Sequence, residues 1–341
     1  MNIDDIGLST TVVGSFPLQN TQINMERAIE DQINIGIDFP CYPQLVSMIS
    51  QFLTPLSQLI PELEQKDGKF ILTDDFKIPD EPIALEYGEF MLNYLQNHPH
   101  SYNLISGTKA CLTGPFTLAS EITLQGTLSE GLKSMLFREP KAIMVGWIVE
   151  KLAKIMKNIG KAYNNMGFNI ISMDEPILGL IVGKKVMFHS RDFVIETLNT
   201  AISEITDVSS IHVCGQLNPN LRDILLETEV NILDHEFQSN TSNYDIFKKA
   251  HFEQADKYLG FGAVETKIKP KKDGTLSDYV ESISTIEKTI QKAVNLVGKE
   301  NLIIKPDCGF QPLRDSFEED FAYEIVTRKL NNMILALKSY E

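Results

Sequence analysis

A strand followed by a helix, repeated eight times, is the feature that most constrains how this chain can fold. Eight short segments rich in β-branched and other apolar residues alternate with stretches whose apolar residues recur every three to four positions. This alternation is typical of buried parallel strands connected by amphipathic helices. The predicted strands cover residues 10–17, 36–42, 109–115, 169–176, 209–215, 230–237, 257–264 and 302–309. The pattern predicts the α/β class and, within it, a single (β/α)8 TIM barrel.

One connection, the one after the second predicted strand, is much longer than the others. Residues 43–102 contain two stretches with helical spacing around the charged segment KDGKFILTDD. A loop of this length in a compact domain usually has structure or a function of its own. We therefore expect a helical insertion that forms a lid or a side layer. The sequence has no linker rich in Gly, Ser or Pro, so one domain over residues 1–341 is predicted.

Composition and charge exclude several classes of function. Asp and Glu together number 46 and Lys and Arg 31, which gives a formal net charge of −15. A surface of this sign repels nucleic-acid backbones and anionic membranes. The sequence contains nothing near the roughly 18 consecutive apolar residues of a spanning helix, and its acidic start is unlike a secretory signal. We expect a cytoplasmic protein without nucleic-acid or membrane partners.

Chemically active side chains occur where the predicted strands end. His212 and Cys214 are two residues apart on one strand, so both side chains point to the same side and can hold one ion. Glu236 ends the next strand, and Cys308 ends the last one. Because the carboxyl ends of barrel strands meet at one mouth, these four donors are expected to come together. An imidazole, a carboxylate and two thiolates suit tetrahedral Zn²⁺.

Each of these residues also has a purely structural interpretation. Taken singly, His212 is more simply a satisfied core histidine, and the two cysteines are more simply buried small hydrophobic residues. The combination favours a metal site, because two of the four cysteines end predicted strands and one of them lies beside a histidine. In a reducing compartment such thiols stay reduced unless a metal or the chemistry uses them. Cys41 and Cys111, inside apolar strands, are expected to be inert.

Six motifs carry a resemblance to a known enzyme family. They are VGSFP at 13–17, LTGP at 112–115, MDEP at 173–176, HVC at 212–214, Glu236 after Cys214, and PDCG at 306–309. Together they resemble the catalytic C-terminal barrel of cobalamin-independent methionine synthase and its short archaeal-type relatives. The wider superfamily includes uroporphyrinogen decarboxylase and the coenzyme M methyltransferases. The resemblance covers nearly the whole chain.

The resemblance implies a zinc-dependent methyltransferase that converts homocysteine to methionine. The implied zinc ligands are His212, Cys214, Glu236 and Cys308, with the Glu236 carboxylate exchanging for the incoming thiol. Ser15 would contact the carboxylate of homocysteine, and Asp174 its amino group. A free thiol, with a pKa of about 8.5, is mostly protonated at neutral pH, whereas zinc binding deprotonates it. The thiolate would then attack a methyl group.

The chain departs from the family pattern at three places. Gln44 stands where the family has a glutamate for the amino group, so an acceptor without an amino group, such as coenzyme M, stays open. Lys267 stands near the place of a histidine that serves in proton transfer in the long enzyme. The tryptophan that stacks on folate is missing after LTGP, because the only tryptophan is Trp147, inside a predicted helix.

These departures lead to an expectation about the methyl donor. Because the folate site looks incomplete, we expect methylcobalamin or a methylated corrinoid protein as the donor, and a corrinoid methyl-carrier protein as a partner. Methyltetrahydrofolate as donor, and coenzyme M or another small thiol as acceptor, are alternatives. A further alternative is a non-catalytic corrinoid-binding protein, although a complete zinc shell argues against it. The sequence has no GxGxxG, P-loop, GxSxG or CxxC pattern.

Overall fold

The computed structural model describes residues 6–340 of the chain. Its strands, numbered in chain order, are β1 (Ser9–Thr10), β2 (Leu63–Lys66), β3 (Lys69–Leu72), β4 (Lys109–Thr113), β5 (Ile122–Leu124), β6 (Ile170–Asp174), β7 (Val208–Val213), β8 (Ile232–His235), β9 (Tyr258–Val264) and β10 (Leu302–Pro306). Its α-helices are α1 (Gln22–Ile35), α2 (Met48–Leu59), α3 (Glu86–Asn97), α4 (Pro99–Tyr102), α5 (Pro115–Glu121), α6 (Gly146–Met166), α7 (Leu178–Ile181), α8 (Arg191–Ile202), α9 (Pro219–Glu227), α10 (Lys249–Ala255), α11 (Ile283–Val297) and α12 (Glu319–Leu337).

A curled parallel sheet forms the centre of the molecule. Within the described residues it has seven strands, in the order β1, β10, β9, β8, β7, β6, β4, and each pair of neighbours is parallel. The strands from β4 to β10 in this sheet are buried along their whole length, as parallel strands covered by helices must be. The predicted α/β class is confirmed. The third to the eighth predicted strands begin and end within about three residues of the predicted positions, whereas the first, predicted over 10–17, is regular only at Ser9–Thr10.

The second predicted strand, residues 36–42, does not form a regular strand. Single parallel bridges join Phe39 to Thr11 and Cys41 to Lys109, so the segment lies between β1 and β4. Pro40 in this segment and Pro43 directly after it have no amide hydrogen, so neither can donate to a ladder of backbone hydrogen bonds. The described residues thus contain seven regular strands in the central sheet, one fewer than the eight predicted.

The long segment after residue 42 is a mixture of helix and hairpin. It contains α2, α3 and α4, but between α2 and α3 the strands β2 and β3 pair antiparallel. The hairpin turns at Asp67 and Gly68, whose φ angles are 50° and 75°, as a two-residue type I′ turn requires. β3 also pairs with β5 in a small three-stranded sheet. The expected helical insertion is therefore only partly helical, and its charged segment is the tip of a β-hairpin.

The long helices bury one apolar side. In α6 the buried residues recur every three to four positions, and the helix ends at Gly167, whose φ of 100° suits glycine. Trp147 in α6 packs with its ring 6.3 Å from that of Phe76, in agreement with its interpretation as a packed helix residue. None of the helices in residues 6–340 is both long enough and apolar enough to cross a bilayer. Residues 1–5 and 341 of the predicted domain lie outside the described residues.

Candidate metal centre

Three of the four predicted metal ligands lie side by side at the carboxyl ends of β7 and β10. One donor atom from each of His212, Cys214 and Cys308 lies within 4.8 Å of the other two. His212 is the penultimate residue of β7, and Cys214 follows the strand directly. Because side chains two residues apart share a face, one strand supplies both the imidazole and the first thiol. Cys308 supplies the second thiol from the other strand end.

The imidazole of His212 has one nitrogen engaged and one nitrogen unpaired. Nδ1 donates to Oδ1 of Asp234 on the neighbouring strand β8, over 2.6 Å. Nε2 is buried and finds no hydrogen-bond partner anywhere in residues 6–340. A buried polar atom without a partner is costly, and a metal ion at Nε2 would satisfy it. Zinc fits this donor set, and metal-binding histidines commonly have a carboxylate on the second nitrogen.

The charges around the cluster shift the pKa values of its three side chains in different directions. Burial opposes the charged form of His212, but the Asp234 carboxylate outweighs it and raises the pKa of the imidazole to about 10. The hydrogen bond from Cys308 lowers the pKa of Cys214, whereas contact with Cys214 and burial raise the pKa of Cys308 well above its ordinary value. A bound metal would displace these protons, because neutral imidazole and thiolate are the forms that bind metals.

Glu236, the fourth predicted ligand, is fully buried and held beside the cluster by two other side chains. Lys267 Nζ lies 2.8 Å from its Oε1 and 2.9 Å from its Oε2, and only the contact to Oε2 has hydrogen-bond geometry. Asn240 Nδ2 also donates to Oε2, over 2.5 Å. The carboxylate is close enough for its charge to act on Cys214. Within the described part of the chain, the group of mutually close donors nevertheless contains only the histidine and the two cysteines.

Lys267 is the cation at the open side of this cluster. Burial lowers the pKa of its ammonium group, but the Glu236 carboxylate outweighs burial and raises it above the ordinary value. The group therefore stays charged at neutral pH. Lys267 also lines an open cavity of about 660 Å³ together with Tyr279 and Lys329, and this volume is within the range of small-molecule sites.

Ser15 and Gln44, two of the predicted substrate residues, lie together at the same mouth. Their backbones form a parallel bridge. Ser15 Oγ accepts a long hydrogen bond, 3.4 Å, from the backbone N–H of Gln311, three residues after Cys308. The amide nitrogen of Gln44 donates to Oε1 of Gln51 over 2.7 Å. Ser15 is thus placed next to the loop that follows a candidate ligand, and the Gln44 side chain is fixed by a buried hydrogen bond.

Two carboxyl groups end β6 and have different surroundings. Asp174 is the register partner of His212, and burial raises the pKa of its carboxyl to about 6. Glu175 accepts hydrogen bonds from the backbone N–H groups of Phe116 and Thr117, at 2.9 and 2.8 Å, and from the Thr117 hydroxyl at 2.6 Å. Glu175 therefore caps the start of α5. Asp174 instead lies opposite the candidate ligand His212 on the neighbouring strand.

Four buried charges below the cluster were not assigned a role from the sequence. They are Lys109, Asp234, Lys305 and Asp307, and none of their side chains is more than a few per cent exposed. Asp234 lies 2.5 Å from Lys305 Nζ and 4.0 Å from Lys109 Nζ. Charged residues inside the apolar strands NILDH and LIIKP were the signal available. A buried charge needs a partner, so each marked a contact across the sheet.

Cys41 and Cys111 form a separate thiol pair. Their Sγ atoms lie 3.3 Å apart, and both side chains are buried. Cys111 Sγ also donates to the backbone oxygen of Val13. The hydrogen bond with Cys41 and burial raise the pKa of Cys111 well above its ordinary value. A thiol of raised pKa is a weak nucleophile, and the expectation that both cysteines are inert stays a prediction.

Known proteins resemble this chain in sequence and in fold. The family model described as cobalamin-independent synthase, catalytic domain, matches residues 110–337. The methionine synthase of Methanothermobacter thermautotrophicus is 27% identical over 353 residues, covering 96% of this chain and 98% of that protein. The 5-methyltetrahydropteroyltriglutamate–homocysteine methyltransferase of Blochmanniella floridana is 22% identical and covers 97% of this chain and 42% of its own length.

A solved structure has a similar fold over the whole chain. The B12-independent methionine synthase from Shewanella sp. W3-18-1, solved with selenomethionine, superposes with a TM-score of 0.68. The two sequences are 15% identical, and the superposition covers 98% of each chain. At this identity the likeness concerns the fold alone.

The expected corrinoid chemistry is wrong. The matching family is described as cobalamin-independent, which contradicts methylcobalamin or a methylated corrinoid protein as donor and a corrinoid methyl-carrier protein as partner. It equally contradicts a non-catalytic corrinoid-binding protein. The expectation rested on resemblance to the short forms and on a folate site that looks incomplete, of which the missing tryptophan after LTGP is one sign. The absence of one stacking residue removes one contact to a pterin, and it provides no group that would bind a corrinoid.

Proposed function

The chain belongs to the family of cobalamin-independent synthase catalytic domains, and from this membership we propose that it methylates the thiol of homocysteine to give methionine. The enzyme is a methyltransferase, as its relatives are. We propose further that it works with a zinc ion. The observation that carries this proposal is the cluster of His212, Cys214 and Cys308 within 4.8 Å, with Nε2 of the histidine left without a partner.

The methyl donor proposed for this chain is a methylated tetrahydropteroylglutamate. The Blochmanniella relative carries this donor in its name, and the family as a whole is described as independent of cobalamin. The open cavity beside Lys267, about 660 Å³, supports a small-molecule donor in size.

Zinc, when bound, would supply a Lewis acid that deprotonates a coordinated substrate thiol. His212, Cys214 and Cys308 would hold it, and Asp234 keeps the proton of His212 on Nδ1. Glu236 is proposed as the ligand that gives way to the thiol. Lys267 and Asn240 already contact its carboxylate, so the displaced carboxylate would not be stranded as an unpaired buried charge.

The proposed acceptor contacts come from Ser15, Asp174 and Gln44. The Ser15 hydroxyl would donate to the carboxylate of homocysteine. The Asp174 carboxyl, with a pKa of about 6, is mostly ionised at neutral pH and would accept from the ammonium group. Because the Gln44 amide nitrogen donates to Gln51, its amide oxygen is the group that can accept from the same ammonium. A neutral amide here is the one observation that favours coenzyme M as a second candidate acceptor.

We also infer the finer architecture of the enzyme. Residues 36–42, bridged to both β1 and β4, would complete a ring of eight strand positions. Residues 43–102 would then be an insertion at the side of one zinc-dependent barrel domain that spans residues 1–341. The superposition with a structure of the same length over 98% of the chain supports a single domain.

A methyl-transfer assay with metal analysis tests this function. Zinc-loaded protein is incubated with 5-methyltetrahydropteroyltriglutamate and either homocysteine or coenzyme M, and the methylated thiol is measured. We expect methionine from the wild type and from the control Cys41→Ala, and a loss of at least about 100-fold for Cys308→Ser together with its zinc. Retention of both zinc and activity by Cys308→Ser would contradict the proposal. Faster methylation of coenzyme M than of homocysteine would identify coenzyme M as the acceptor instead.

A further inference from the structure

Lys305 is a fully buried lysine near the carboxyl end of β10, and its ammonium group has two acceptors. Nζ lies 2.5 Å from Oδ1 of Asp234 on β8. It also donates to the backbone oxygen of Asp307, over 2.9 Å. A buried ammonium group is retained only where it is paired and hydrogen-bonded, and here both acceptors are provided by the strands that carry candidate ligands.

The first acceptor connects Lys305 to the histidine ligand. Asp234 Oδ1 accepts from Nδ1 of His212 over 2.6 Å, so the same carboxylate oxygen contacts both the ammonium and the imidazole. Held by Lys305 on one side, Asp234 fixes the orientation of the ring and points Nε2 to the cluster.

The second acceptor connects Lys305 to the other side of the cluster. The Asp307 carboxylate accepts hydrogen bonds from the backbone N–H groups of Phe237, Gln238 and Ser239, the three residues after Glu236, at distances between 2.6 and 3.1 Å. Asp307 is also the residue directly before Cys308. It therefore fixes the loop that follows the carboxylate ligand against the strand end that carries a cysteine ligand.

Two glycines on β9 make this contact across the sheet feasible. β9 lies between β8 and β10, with Gly260 opposite Asp234 and Gly262 opposite Lys305. A Cβ at Gly260 would lie 3.0 Å from Asp234 Cβ, and a Cβ at Gly262 would lie 2.1 Å from Asp307 Oδ1. Side chains at these positions would fill the space through which Lys305 reaches Asp234. The sequence YLGFGAV thus leaves room for a buried charge network that joins three strands.

We propose that Lys305 is a positioning residue that sets the relative placement of His212, Glu236 and Cys308 for metal binding. This inference rests on the proposed function, because it assumes that these residues bind zinc. Removing the ammonium group would leave Asp234 without its nearest cation, although Lys109 remains 4.0 Å away. It would also free the backbone of Asp307. Both the histidine and the loop after Glu236 would then be less well ordered in the metal-free protein.

The test compares two buried lysines. Lys305→Met is expected to weaken zinc affinity about 10- to 100-fold, measured by competition with a chromophoric chelator. The matched control is Lys257→Met. Lys257 is 6% exposed and donates to the backbone oxygens of Thr228 and Val230, before β8 begins. The Lys257→Met variant should lose stability but bind zinc within about twofold of the wild type, because Lys257 contacts no strand end that carries a ligand.

Hydrogen exchange in the metal-free proteins provides a second readout. The amides of residues 237–239 should exchange faster in Lys305→Met than in the wild type, and should not change in Lys257→Met. If Lys305→Met does not fold, Lys305→Gln keeps one donor in a shorter side chain and should show the same changes to a smaller degree.

The outcomes separate this inference from the function beneath it. Zinc affinity unchanged in the Lys305 variant, or reduced equally in both lysine variants, would overturn the positioning role while the wild-type zinc site stands. A wild-type protein that binds no zinc would overturn the proposed function and this inference with it.

Discussion

His212 shows how the surroundings of one residue prepare it for chemistry. Asp234 occupies Nδ1 and leaves Nε2 without a partner, beside two thiols. The sequence predicted that His212, Cys214 and Cys308 come together, because a spacing of two residues puts the first two on one face and the carboxyl ends of parallel strands meet at one mouth. It did not predict the partner of the histidine, because Asp234 belongs to another strand. Cross-strand register cannot be read from one strand alone, and only a buried charge in an apolar segment pointed to it.

Glu236 and Lys267 lead to a prediction about substrate exchange. Removing the cation in Lys267→Met would leave the Glu236 carboxylate better stabilised on the metal than off it. The KM for homocysteine should rise about tenfold, while zinc affinity should not fall. Steady-state kinetics and chelator competition measure the two quantities.

The control for this prediction is Lys269→Met, which removes an exposed lysine from the same loop. Its KM for homocysteine should stay at the wild-type value. An unchanged KM in Lys267→Met, or a loss of zinc affinity, would show that Lys267 does not act by holding the displaced carboxylate.

Glu175 leads to a prediction about stability and pH. Burial, only partly offset by three hydrogen bonds, raises the pKa of its carboxyl from 4.5 to about 7. The folded protein therefore prefers the protonated form, whose stabilising contribution is complete below about pH 4.5 and is lost as the pH rises through 7. Relative to Glu175→Gln, the metal-free wild type should lose about 2–3 kcal/mol of unfolding free energy between pH 5 and pH 8. Urea unfolding with a chelator present measures this, and a difference independent of pH would contradict it.

The elements of the fold were predictable to different degrees. Long apolar runs such as YLGFGAV could be assigned as strands because parallel strands are buried on both sides. The hairpin of β2 and β3 was missed because its Asp67–Gly68 turn lies in a polar segment with little alternation around it. Residues 36–42 were predicted as a full strand, but Pro40 and the following Pro43 limit the segment to single bridges.

Hydrogen exchange tests how residues 36–42 close the sheet. Phe39 N–H donates to the Thr10 oxygen, and Lys109 N–H to the Pro40 oxygen. If the segment holds the eighth strand position, the amides of Phe39 and Lys109 should be protected to a degree similar to that of Ile171 in β6. Exchange at the rate of an exposed loop would show that the sheet is open between β1 and β4.

At the scale of the whole molecule, the strand ends define the site and the family defines the reaction. Seven described strands point their carboxyl ends to one mouth, where the polar residues of VGSFP, MDEP and HVC lie. The barrel-like fold and the position of the site were predictable from the repeat. The identity of the methyl donor was not predictable, because a donor site is built from loops whose shape depends on the whole chain. The resemblance to the short forms and the missing tryptophan therefore led to a wrong expectation.

We propose that this mouth holds a zinc ion whose carboxylate ligand is exchanged for the substrate thiol. Zinc K-edge absorption spectroscopy on the zinc-loaded protein, with and without homocysteine, measures the ligand set. We expect two sulfur ligands and two nitrogen or oxygen ligands at rest, and three sulfur ligands with one nitrogen or oxygen ligand after homocysteine is added. A protein that takes up no stoichiometric zinc, or a spectrum that homocysteine leaves unchanged, would contradict it.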